Sequence, residues 1–66
     1  MRATINGEAR ELPEELTVAT LLEMLGTPKA GIAVACNDRV VRRSEYERAS
    51  IQDGDRIEII AAVAGG

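Results

Sequence analysis

The chain has 66 residues, a formal net charge of −3, no His, no Phe, no Trp, one Tyr and one Cys. A chain of this size makes one domain with a thin margin of stability, so its core must come from aliphatic side chains and a deep catalytic cleft is excluded. Without His it lacks the commonest general base and metal ligand; one cysteine makes neither an internal disulfide nor a Cys-rich zinc site; and neither half is basic, so no nucleic-acid partner is expected.

Met1, Ala3 and Ile5 alternate with Arg2, Thr4 and Asn6, the period of a strand. Asn6-Gly7 then signals a tight hairpin, because a type I′ turn needs positive φ at both central residues. Glu8 to Leu12 is the return strand, with Arg2 opposite Glu11 and Met1 opposite Leu12. That register also turns Glu8 and Arg10 onto the face of Ile5 and Ala3, which leaves either an exposed edge strand or a longer loop. Pro13 to Leu16 reads as a connector. Thr17 is a good N-cap, with Glu14 and Glu15 before it favouring a helix N-terminus. Val18, Leu21, Leu22 and Leu25 form one apolar stripe, and Gly26 followed by Pro28 is the stop, so the helix is expected over residues 17–26.

Gly31 to Cys36 is an uninterrupted apolar run and is expected as a buried strand, with Cys36 a small hydrophobe inside it. Asn37-Asp38 is a turn and Arg39 to Val41 a short strand. Ser44 is the expected cap of a single helical turn over Glu45 to Glu47. Asp53-Gly54-Asp55 is another turn, and two aspartates without further spaced ligands make no calcium loop. Arg56 to Val63 is the last strand, with Ile57, Ile59, Ala61 and Val63 on one face and Arg56, Glu58 and Ile60 on the other. Ile60, as part of an apolar patch on the open sheet face, and Arg43, as a charge that steers a partner, are the candidates for a partner surface.

One main helix against a mixed sheet of four to five strands is a two-layer α+β domain. A hairpin, a crossover helix and a last strand returning beside the first is the β-grasp, or ubiquitin-like, arrangement, expected over residues 1–61. No run of 18 apolar residues is present and Met1 to Thr4 opens no signal peptide, so neither a membrane span nor secretion is expected. A lone cysteine fits a reducing, cytoplasmic setting.

The last strand runs into Ala62, Val63, Ala64, Gly65 and Gly66, a segment without charge or bulk. Extended, these five residues reach about 17 Å. Two glycines pass where side chains clash. Residues 62–66 are therefore expected as a flexible tail that delivers the α-carboxylate of Gly66 into partner active sites.

Several segments carry a resemblance that spans essentially the whole chain. Val34 to Asn37, Val40 to Tyr46, Gln52 to Ile59 and the final Gly65-Gly66, with Asn6-Gly7 and Leu12 to Leu25, resemble the ThiS family of thiamin-pathway sulfur carriers, within the wider group that includes the MoaD-like subunit of molybdopterin synthase. Arg42 stands where that family usually has Pro, Tyr46 where it often has Trp, and Cys36 where an aliphatic is usual. The resemblance implies a carrier without catalytic side chains and without a bound cofactor. An E1-like, ThiF-like adenylyltransferase using ATP and Mg²⁺ activates Gly66. Sulfur from a cysteine desulfurase converts it to a thiocarboxylate, and a ThiG-like thiazole synthase takes the sulfur. A sulfur carrier for another product, such as molybdopterin or a sulfur-containing metabolite, and a ubiquitin-like protein modifier share the same tail and stand as alternatives. A plain interaction module, with an accidental Gly-Gly, is the reading that needs no chemistry.

Overall fold

The two-residue turn at Asn6-Gly7 sets the frame of the sheet. In the computed structural model, which describes residues 1–28 and 30–61, both turn residues have positive φ, 52° and 86°. They join β1 (Arg2–Ile5) to β2 (Glu8–Glu11) with Arg2 opposite Glu11, the expected register. β3 (Leu16–Thr17), α1 (Val18–Leu25), β4 (Ile32–Cys36) and β5 (Arg39–Val41) follow. A 3₁₀ turn at Arg43–Glu45, β6 (Ser50–Ile51) and β7 (Arg56–Ala61) complete the order. The main sheet runs β2-β1-β7-β4-β5, with β1 and β7 parallel and every other neighbour antiparallel. This is the β-grasp architecture.

The helix is short and fully capped. Thr17 accepts from the Thr20 N–H through its hydroxyl, and the carbonyls of Ala49 and Tyr46 accept the N–H groups of Val18 and Ala19 at 3.0 and 2.9 Å. The first turn's orphan donors are thus met partly by a segment distant in sequence. Glu14 and Glu15 stay outside the helix, whose first turn holds no acidic residue. At the other end Gly26 takes φ 70°, and Gly26 N–H to Glu23 C=O with Thr27 N–H to Leu22 C=O closes a Schellman motif.

The helical stripe meets the sheet as predicted. Val18, Leu21 and Leu22 pack with Ala3, Ile5, Val34 and Ile57, while Leu12, Leu16, Tyr46 and Ile51 close the sides. Leu25 is half-buried at the margin of this core. Eight helical residues span about 12 Å, too short to cover β2. All four β2 residues are exposed, so Glu8 and Arg10 share the face of Ile5 and Ala3 without being buried.

Four expectations need correction. Pro13 to Leu16 is not wholly a connector, because Leu16 and Thr17 pair with Ser50 and Ile51 in a two-stranded ribbon. The Gly31 to Cys36 run is not a buried strand. Only Val34 is fully buried and Ala33 is exposed, because one sheet face is uncovered. Cys36 is half-buried at the end of that strand. Ser44 does not cap the turn that follows β5. Arg42 does, its N–H donating to the Glu45 carboxylate at 3.0 Å, and the helical turn is Arg43–Glu45.

Candidate functional site

The last strand is held on both sides. β4 pairs with it from Cys36↔Ile57 to Ile32↔Ala61. On the other side β1 pairs at Thr4↔Arg56 and Ile5↔Ile57. β1 then ends, and the Asn6 side chain continues the bonding. Its Oδ1 accepts the Ile59 N–H at 2.8 Å, and its Nδ2 donates to the Ile59 carbonyl at 3.3 Å. Beside this contact lies an open hollow of about 550 Å³, with Ile5, Leu25, Ile32 and Ala61 on its apolar side and Glu8 and Arg10 at its rim. It exists because α1 stops at Leu25, short of the overhanging hairpin.

Beyond Ala61 come Ala62, Val63, Ala64, Gly65 and Gly66, the predicted tail and reactive carboxylate, which lie outside the described residues. The structure therefore fixes the base from which that segment departs.

Ile60 lies on the uncovered sheet face. Ile60 is 60% exposed and neighbours Ala33, while Val40, 77% exposed, neighbours Ala35, which in turn faces Glu58. Ile60 and Val40 are exposed large hydrophobics on one face, flanking Ala33 and Ala35 of β4. Arg43 is exposed too, but it opens the turn after β5, and β4 stands between that strand and Ile60.

Cys36 lies beside the Asp55 carboxylate. Burial first, and then the charge and hydrogen bond of Asp55, push its thiol up from the ordinary value of 9.0. Its Sγ donates to Asp55 Oδ2 at 3.5 Å. A reactive cysteine needs a thiolate held by positive charge, and here a carboxylate is the neighbour. Burial works to raise the Asp55 carboxyl. The Gln52 N–H, the Asn37 amide and the Cys36 thiol outweigh it and leave the group below its ordinary value. Asp55 thus serves as a structural acceptor that ties the loop before β7 to the β4–β5 turn. Arg56, exposed, bonds Asp38 at 3.0 Å, which raises its guanidinium pKa further. Among the described residues no group of three His, Cys, Asp or Glu side chains could hold a metal, and no helix is long and apolar enough to cross a membrane.

The sequence reading missed the role of Asn6. Its identity as a turn residue was legible. Its bonds to Ile59, 53 positions away, were not, since a turn signal says nothing of what the side chain meets.

The family described as ThiS matches residues 3–66. The chain is 36% identical to the sulfur carrier protein ThiS of Escherichia coli (strain K12) over 66 residues, covering all of both chains. It is 39% identical to a thiazole synthase of Paramagnetospirillum magneticum over 66 residues, and spans 20% of that relative's length. The crystal structure of a thiamine biosynthesis protein (ThiS) from Geobacter metallireducens superposes with a TM-score of 0.87 at 30% identity, over the full length of both.

Proposed function

This chain belongs to the ThiS family, and from that premise we propose that it carries sulfur, as a thiocarboxylate on Gly66, for the thiazole ring of thiamin. The observation that carries the reading is that the family match runs through Gly65 and Gly66, on a body whose residues 59–61 end beside an open edge.

A carboxylate is a poor electrophile. An E1-like enzyme of the ThiF type transfers AMP from ATP, with Mg²⁺ on the phosphates, to the Gly66 carboxylate, and pyrophosphate leaves. The terminal sulfur of a persulfide, charged by a cysteine desulfurase, attacks the acyl carbon and AMP leaves. A thiol then takes the other sulfur of the resulting acyl disulfide, which frees the thiocarboxylate. All catalytic groups belong to partners. This chain contributes an unobstructed acyl terminus on a stable body, which fits a sequence with no His.

The acceptor is a thiazole synthase. A relative with that activity in its name contains a stretch matching this entire chain, which favours thiazole over molybdopterin as the destination. The uncovered face with Ile60, Val40 and Ala33 is the surface offered to partners.

The test is intact-mass measurement after incubation with the E1-like enzyme, ATP, Mg²⁺ and a sulfur source. Replacement of one oxygen by sulfur, located in the C-terminal peptide, is the expected result. No mass change, or isopeptide adducts on lysines of other proteins, overturns the carrier reading.

A further inference from the structure

Past the end of its backbone pairing with β1, the strand that leads to Gly66 is bonded on that side by the Asn6 side chain. The last backbone bond from β1 is Asn6 N–H to Ile57 C=O at 2.9 Å, after which the chain turns away through Gly7. β7 runs on to Ala61, so Ile59 reaches past the end of β1. There the Asn6 carboxamide stands in for the next β1 residue, accepting from the Ile59 N–H at 2.8 Å and donating to its carbonyl at 3.3 Å. Alternate residues of a strand direct their N–H and C=O groups to the same side, so those of Ala61 point to that side one step beyond this amide. Among the described residues Asn6 is the last group to bond β7 on that side.

We propose that Asn6 is a positioning residue for the chemistry at Gly66: its carboxamide fixes the course of β7 at Ile59, so that the residues that follow enter a partner's active site from a set direction. The proposal rests on the reading of Gly66 as the adenylated group. Pairing with β4 already orders β7 as far as Ala61, so the Asn6 carboxamide adds a second attachment on the opposite side that sets the direction of the strand at Ile59. The task needs an acceptor, a donor and a backbone at φ 52° together. Asparagine supplies all three. Aspartate keeps the acceptor but sets a second oxygen against the Ile59 carbonyl, and glycine keeps only the backbone freedom.

The experiment compares the wild-type chain with Asn6→Asp and Asn6→Gly as substrates of the E1-like adenylating enzyme of the same organism. ATP–pyrophosphate exchange is followed while the carrier is titrated, well below each variant's unfolding temperature. The expected result is a rise of about tenfold in KM for the carrier with kcat unchanged in both variants, the size that losing the hydrogen bonding to Ile59 implies. Amide exchange should quicken at Ile59 and not at Leu21. A purely structural role lowers the unfolding temperature and leaves KM in place. Wild-type exchange with unchanged KM in both variants overturns this proposal alone. Absence of exchange with the wild-type chain overturns it together with the reading of Gly66.

Discussion

The Asn37 carboxamide bridges Asp55 and the strand that follows it: its Nδ2 donates to Asp55 Oδ1 at 2.9 Å and its Oδ1 accepts the Arg56 N–H at 2.9 Å. Asp55 in turn accepts the Gln52 N–H at 2.7 Å. Two turns, at positions 37–38 and 52–55, are locked to each other at the start of β7. Asn37→Ala breaks both bonds and also places alanine at φ 53°. The expected loss is about 1–2 kcal/mol, read as a fall in urea midpoint at constant slope.

Asp55 also sets a pH dependence. Its carboxyl titrates below the ordinary 3.8 in the folded chain, so the unfolded chain binds the proton first. The stability it contributes is complete above that ordinary value and is lost as pH falls through the lower folded value. Acid unfolding should therefore flatten below pH 4 in Asp55→Asn, at the expense of lower stability at neutral pH. Urea midpoints measured across the acid range check this, and an unchanged slope in the variant overturns it.

Among the described residues Glu15 is the one with positive φ that is neither Gly, Asn nor Asp; its φ is 58°. The left-handed region costs such a side chain about 1 kcal/mol, which glycine avoids. Glu15→Gly, at an exposed site, should raise stability by about 0.5 kcal/mol after the entropy of the unfolded glycine is deducted. Thermal melting of the variant decides the sign.

Cys36 should be slow to alkylate at pH 8, because its thiol is held protonated by burial and by Asp55. In Asp55→Asn the rate should rise several-fold. Cys36→Ala should load sulfur as the wild-type chain does, and a variant that no longer gains sulfur would move the chemistry from Gly66 to Cys36.

Adding one residue after Gly66 should abolish sulfur loading and leave the melting temperature unchanged. Loading that survives the addition contradicts a mechanism that acts on the Gly66 carboxylate.

Much of the fold was legible because it is written in local patterns. The alternation of Met1 to Asn6, the Asn6-Gly7 turn and the 18-21-22-25 stripe each name an element and its buried face. The ribbon of Leu16–Thr17 with Ser50–Ile51 was not, since two residues carry no period. Ala33 was misplaced because small apolar residues suit an uncovered face as well as a core. Glu8 and Arg10 looked wrong until the length of the helix showed that nothing covers β2. Of the candidate site, the exposure of Ile60 was legible from alternation along its strand. The clamp of Asn6 on Ile59 depends on where β1 stops relative to β7, which no single segment records.

Tyr46 is the chain's one aromatic residue, 3% exposed, and its carbonyl receives the Ala19 N–H at the start of the helix. With no tryptophan to drain its excited state, its emission is a single-site optical reporter native to the molecule. It sits where the 3₁₀ segment meets the helix, so a change in that signal marks the separation of these two parts. Because the chain has no tryptophan, light at the long-wavelength edge of indole absorption, where phenols no longer absorb, excites a tryptophan-bearing partner in a mixture almost without background.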